Sequence, residues 1–271
     1  MATAISPTTQ QCRRLSLEER SQYRLEYSRD GYVVIRNFAR SEYLSELRSQ
    51  ALKELQYRRQ PVEYEADLGY PGAPESRSAH GGQTIRRLLH AYTRHQCFKD
   101  FVTDPELIRS LRIFSNRNGL VFTPNHHNCL MSKHPGFSSS TYWHQDIRYW
   151  HFEKSELVSV WLGLTDENAE NGALKVIPGS HRLAPEAYEL GNQSFLDPKS
   201  KKNQSLIKHA KQIELQAGDA LFFHCRLFHG ANRNDSSEVK LSLVLTYHSD
   251  DNHPIEGSRS TKAPEIPLDN V

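Results

Sequence analysis

The sequence has no apolar run approaching the roughly 20 residues that a membrane-spanning helix needs. It has no marked excess of one charge: the net value is +2, with 24% charged residues. That balance gives no footprint for nucleic acid and no single-sign field to steer a ligand. It also has little cysteine. Cys12, Cys97, Cys129 and Cys225 stand far apart with no CxxC pair. Such spacing argues against a zinc site or a disulfide framework, and fits scattered thiols in a reducing, cytoplasmic setting. The first residues lack a charged segment followed by an apolar core, so no secretory signal is expected. The last four, Leu-Asp-Asn-Val, match no simple retention or peroxisomal tail.

What the chain does have is length, histidine and short strands. At 271 residues it can bury a sizeable core, and one domain is the sensible expectation. Residues 1–15 are polar and read as loose. Ser16-Leu-Glu-Glu19 resembles a capping box, with a helix to about Arg29. Asp30-Gly31 turns the chain into a β-branched strand, Tyr32 to Arg36. Ser41 to Tyr57 is helical by its spacing of Leu44, Leu47, Ala51 and Leu55. Residues 60–83 read as a long loop and 84–95 as a basic stretch. A helix follows over 104–114. The first 118 residues are therefore expected to be mostly helical. Strands are expected over 119–132, 141–150, 157–165, 173–177, 211–215, 220–224 and 239–248. Asn171-Gly172 is a hairpin signal. Residues 181–210 form an irregular insertion, and the tail 249–271 reads as draped or disordered. Helices first and then many short strands suggest a mainly β domain, a double-stranded β-helix (jelly roll, cupin-like) with core 119–248.

Thr141-Tyr-Trp-His-Gln-Asp-Ile-Arg-Tyr-Trp150 carries the chemistry. If it is a strand, His144 and Asp146 point to the same face. One distant histidine would complete a two-histidine, one-carboxylate set, which holds non-haem Fe(II) on one face and leaves the other open. The candidate is His229, 85 residues further on and next to a glycine. A His-X-Asp triplet alone is weak, since most are ordinary strand residues. His181, His224, His126 and His127 have no such pattern, and Asp219 reads as a turn former.

Several motifs in order strengthen the set: Trp143-His-Gln-Asp146, Trp161, Glu170-Asn-Gly-Ala-Leu174, Val176-Ile-Pro-Gly-Ser-His181, Ala217-Gly-Asp219 and Phe228-His-Gly230. Together they resemble the phytanoyl-CoA dioxygenase family, a branch of the Fe(II)/2-oxoglutarate oxygenases. The resemblance implies iron on His144, Asp146 and His229, with 2-oxoglutarate as cosubstrate and O2 as oxidant. The family anchors the far carboxylate of 2-oxoglutarate with an arginine eleven residues after the distal histidine. This chain has Lys240 there, which brings charge without the planar two-pronged donor set. Ser242, on the same strand face, could assist, or Arg233 could supply the charge. The family's serine two residues past the distal histidine is Ala231 here. Trp161, Cys129 and Arg87 (or its neighbour Arg86) match further cosubstrate-pocket positions.

The implied activity is hydroxylation of a small metabolite with release of succinate and CO2. Arg148, Tyr149 and Trp150, with 125–128, the 60–83 loop and the 181–210 insertion, could form an aromatic, polar mouth that suits a polar or anionic substrate. Retention of Asp146 argues against a halogenase. Two alternatives stand beside this reading: a non-catalytic jelly-roll binding protein, and an acyl-CoA hydroxylase, although no phosphate-binding motif is visible.

Overall fold

The computed structural model describes residues 11–268. Its first helix, α1 (Leu17–Asp30), starts on the expected capping box: Glu19 N–H bonds the Ser16 hydroxyl, and the Glu19 carboxylate accepts from Ser16 N–H. It ends on Gly31, whose φ of 79° is left-handed backbone that glycine adopts without penalty. Strand β1 (Tyr32–Ile35) and helix α2 (Ser41–Tyr57) follow, α2 burying Leu47 and Ala51. The supposed loop 60–83 holds a short strand, β2 (Val62–Tyr64), which pairs with β3 (Ile85–Leu89) inside the basic stretch. Three short helices come next: α3 (Ala91–Arg94), α4 (Gln96–Val102) and α5 (Pro105–Ser115). Asp104 caps α5 by accepting from Glu106 N–H and Leu107 N–H, ahead of a proline in the first turn.

The remaining strands are β4 (Leu120–Phe122), β5 (Asn128–Lys133), β6 (Thr141–His144), β7 (Leu157–Gly163), β8 (Leu174–Val176), β9 (Lys211–Gln212), β10 (Ala220–His224), β11 (His229–Ala231), β12 (Lys240–Ser249) and β13 (Ile266–Pro267). They make two sheets. The larger runs β1-β10-β7-β12-β5-β3-β2, with β4 and β13 continuing from β12. The smaller is β6-β11-β8-β9. This is the expected jelly roll with flanking helices, its ladders antiparallel.

The large sheet is apolar on both faces, which explains the uninterrupted Ala220-Leu-Phe-Phe223. Phe222, Leu243 and Leu245 pack on Phe98, Phe101, Leu107 and Leu111 of the helices. Leu221, Phe223, Trp161 and Val244 face the small sheet across Leu174, Val176 and Ala231. Alternation along β12 therefore turns Lys240, Ser242 and Val244 into the space between the sheets.

Several sequence expectations need correction. Besides the expected β1, the first 118 residues contribute two further strands to the large sheet, β2 and β3. The 119–132 strand is two, because Pro124 and the turn after it interrupt the ladder. The 141–150 strand stops at His144, and Asp146–Tyr149 is a short 3-10 turn. The strand expected over 211–215 is only β9, although Leu215 bridges Glu167. Asn171-Gly172 does not join a hairpin: β7 lies in the large sheet and β8 in the small one. Instead Gly172, at φ 77°, carries the chain between sheets where a Cβ would meet the Asn232 carbonyl at 2.6 Å. The insertion contains helix α6 (Lys201–Ile207). The tail is ordered through Leu268, which is buried, and β13 pairs with β4. At the other end, residues 11–15 are packed, with Cys12 and Leu15 buried, while residues 1–10 and 269–271 lie outside the described residues. No helix among the described residues is long and apolar enough to cross a membrane.

Candidate metal and cosubstrate site

β6 and β11 are neighbours in the small sheet, and His144 pairs directly with His229. Their rings lie 4.2 Å apart. Each Nδ1 is held by a backbone carbonyl two residues back, His144 by Tyr142 at 2.8 Å and His229 by Leu227 at 3.0 Å. That bond places the proton on Nδ1 and leaves the Nε2 lone pair free, as a metal-binding histidine requires. Asp146 arrives from the 3-10 turn rather than from a strand face. Its Oδ1 lies 3.8 Å from His144 Nε2 and 3.6 Å from His229 Nε2. All three residues are buried, and their donor atoms converge as a set that could hold one metal ion.

The charge states suit a divalent cation. Burial pushes both imidazoles below their ordinary value, so they stay neutral. Burial also raises Asp146, but the charge and hydrogen bond of the His127 imidazolium outweigh it and hold the carboxyl well below the usual range. Two neutral imidazoles and one carboxylate are the forms that ligate.

Sequence reasoning missed His127, which has a partner after all. Its Nε2 lies 3.2 Å from Asp146 Oδ2, and Ser159 Oγ donates to the same oxygen at 3.3 Å. The two contacts turn Oδ1 towards the histidines. Burial lowers His127, yet the Asp146 carboxylate overrides this and raises it to about 9. No periodicity marks His127, because it lies in the turn between β4 and β5.

The triad opens onto a pocket whose walls also include Arg86, Arg87, Met131, Lys133, Trp161 and Lys240. Lys240 is 3% exposed and lies 4.9 Å over the Trp161 ring. Its Nζ donates to Glu167 Oε2 at 2.9 Å. Glu167 is itself buried and also accepts from Trp161 Nε1 at 2.7 Å and Ser242 Oγ at 2.6 Å. Ser242 thus shares Lys240's face as expected, but its one proton is committed to Glu167. Arg86 and Arg87 both line the cavity; Arg86 pairs with Glu65 at 3.1 Å and Arg87 with Glu63 at 3.4 Å. Arg233 is elsewhere, paired with Asp235 at 2.7 Å. Cys129 sits deeper on the same strand face, packed with Trp161 and Val244, and Met131 forms the wall.

The mouth is partly as expected. Phe195 of the insertion meets Tyr70 of the 60–83 segment at 5.8 Å and the His144 ring at 6.0 Å. The Arg148 guanidinium lies 4.0 Å over Phe195 and 4.3 Å over Tyr149. Trp150 turns inward: it is buried with Phe152, Leu157 and Cys225, and stacks on His126 at 4.9 Å. Of residues 125–128, His127 lines the pocket, whereas the two asparagines tie structure together. Asn125 donates to the Ser260 and Ala263 carbonyls, and Asn128 accepts from Tyr92 N–H. His181 and His224 pack on each other with tilted rings, centroids 5.3 Å apart. Asp219 fixes its turn by accepting from Asn37 N–H and Gln216 N–H.

The family model for phytanoyl-CoA dioxygenase (PhyH) matches residues 27–242. The chain belongs to the phytanoyl-CoA dioxygenase family. The ectoine dioxygenase of Halomonas elongata is 27% identical, over 87% of this chain and 72% of its own length. The human peroxisomal phytanoyl-CoA dioxygenase is 25% identical, over 89% and 71%. Among solved structures, EctD from S. alaskensis with bound Fe superposes with a TM-score of 0.70 at 19% identity, covering 95% of this chain and 87% of that one.

Proposed function

We propose that His144, Asp146 and His229 hold Fe(II), and that 2-oxoglutarate lies in the adjoining cavity with its far carboxylate towards Lys240. The protein is an Fe(II)- and 2-oxoglutarate-dependent dioxygenase that acts on a small molecule. The observation that carries the site assignment is that two Nε2 atoms each lie within 3.8 Å of one carboxylate oxygen, Asp146 Oδ1. Iron with bound 2-oxoglutarate supplies oxygen activation, giving a hydroxylated product, succinate and CO2.

The residues around that centre have separable tasks. Tyr142 and Leu227 carbonyls fix the imidazole tautomers. His127 and Ser159 aim the carboxylate. Trp161 floors the cosubstrate cavity, and Arg86 and Arg87, each paired with a carboxylate, shape its rim. Tyr70 and Phe195 cover His144 and keep bulk water from the reacting face. Arg148, braced on Phe195 and Tyr149, presents a cation at the mouth; its buried Nε finds no hydrogen-bond partner among the described residues. A small metabolite carrying a carboxylate or phosphate would satisfy it. The buried free cysteines support a reducing, cytoplasmic location.

The test is a metabolite screen for substrate-stimulated succinate formation, with acyl-CoA thioesters as one arm. Anionic metabolites are expected to stimulate, and His144→Ala and Asp146→Ala to abolish the response. Stimulation by acyl-CoA alone would overturn the small-metabolite reading. Turnover that survives Asp146→Ala would overturn the site.

A further inference from the structure

The cations around the cavity do not balance in the way their number suggests. Arg86 is neutralised by Glu65, Arg87 by Glu63 and Lys240 by Glu167. Lys133 is different. It is 5% exposed, lines the cavity, and its Nζ donates to two backbone carbonyls, Ser139 at 2.7 Å and Asn232 at 2.6 Å. No carboxylate pairs with it among the described residues; Glu65 and Glu167 act only at longer range. Carbonyl dipoles solvate an ammonium but do not cancel its charge, so the surplus positive charge of the cavity wall belongs to Lys133.

Its position is equally pointed. Lys133 on β5 pairs directly with Lys240 on β12. Opposed residues of a ladder hold their Cβ atoms about 5 Å apart on one face, and like charges there repel. Burial deepens the cost, and with Arg86 and Lys240 it pushes the Lys133 ammonium down to about 7. A bound anion between the two ammonium groups removes the repulsion. The iron site with Asp146 would answer only one carboxylate of a dicarboxylate ligand. Lys240 already shares its charge with Glu167.

We propose that Lys133 is a second anchor for the far carboxylate of 2-oxoglutarate, so that two opposed lysines replace the family's single arginine. This rests on the iron and 2-oxoglutarate reading above. Each ammonium has N–H groups left after its visible bonds are counted, one on Lys133 and two on Lys240. Together they supply several donors from two directions, as an arginine fork does from one.

The experiment is an anaerobic titration of the Fe(II)-loaded protein, followed by the visible absorption of the iron–keto-acid complex. Two ligands are compared: 2-oxoglutarate, and 2-oxovalerate, in which a methyl replaces the far carboxylate. The variants are Lys133→Gln, which keeps donors for the two carbonyls, and Lys133→Arg. A charge-assisted contact of this kind corresponds to a change of about 10- to 100-fold. Lys133→Gln is expected to weaken 2-oxoglutarate by that factor and leave 2-oxovalerate unchanged, and Lys133→Arg to restore most of the loss. If Lys133→Gln weakens both ligands equally, or neither, Lys133 only ties the loops at 139 and 232 and the proposal fails while the site reading stands. If the unmodified protein gives no absorption change with 2-oxoglutarate, the site reading fails and takes this proposal with it.

Discussion

Breaking the Lys240–Glu167 pair is expected to damage folding more than removing it altogether. Lys240 is 3% exposed and Glu167 2%, so each has lost nearly all its water. Their 2.9 Å contact offsets that loss. Lys240→Met leaves a buried carboxylate with only Trp161 and Ser242 as donors. Glu167→Gln leaves a buried ammonium facing Lys133. Removing one partner of a buried pair typically costs about 3–5 kcal/mol, whereas replacing both with neutral residues of similar volume is often close to neutral. At about 2–4 °C per kcal/mol for a chain near this size, each single variant should lower Tm by roughly 6–20 °C. The double variant Lys240→Met/Glu167→Gln should recover most of that, because the introduced amide can still accept from Trp161 and Ser242 through its carbonyl oxygen. The assay is thermal or urea unfolding of all four proteins in parallel, closing a double-mutant cycle. If the two losses simply add, the residues do not hold each other, and the charge accounting around the cavity is wrong.

Other perturbations probe different parts of the account. Arg148→Ala should raise KM for an anionic substrate about tenfold with Fe(II) binding unchanged, whereas equal loss with a neutral analogue would assign Arg148 to packing. Gly31→Ala should destabilise by about 2 kcal/mol or more, measured by urea unfolding, because φ is 79° and the new Cβ would lie 2.4 Å from the His181 ring. His224 accepts from Arg226 N–H, and burial together with the His181 and Arg226 charges lowers it to about 3. The unfolded chain binds that proton near 6.5 and the folded chain does not. Stability should therefore fall as pH drops from about 6.5 towards 3, by up to about 1.4 kcal/mol per pH unit from this group. A His224→Phe variant should show a shallower acid limb in Tm against pH, and an unchanged limb would refute the assignment.

Much of the site was readable because its signals are local or strongly typed. Ser16 and Glu19 announce a helix start, and Gly31 its end. His144 and Asp146 are near neighbours, and His229 follows an apolar strand that only a buried sheet would carry. The strand-face argument for His144 and Asp146 reached the right pair through the wrong geometry, since the strand ends at His144 and Asp146 turns in from a 3-10 segment. What escaped was long-range pairing. Glu167 sits in a polar run, Thr165-Asp-Glu-Asn168, that reads as loop, and its partner is 73 residues away. A lysine on a buried strand should have prompted a search for its carboxylate. His127 was hidden beside His126 in a turn, where no period distinguishes inward from outward. Asn171-Gly172 has the composition of a hairpin, yet the chain there changes sheets, a choice made by packing rather than by the dipeptide. The polar tail is held by Asn125, His126 and β4, all distant in sequence.

The most direct check on the central claim is the iron stoichiometry of the unmodified protein and of His229→Ala, by anaerobic equilibrium dialysis against Fe(II). The expected result is one ferrous ion per unmodified chain and almost none on the variant, because the residue at 229 is a full third of the donor set. Iron retained at the same stoichiometry by His229→Ala would contradict the convergence of these three side chains on one metal.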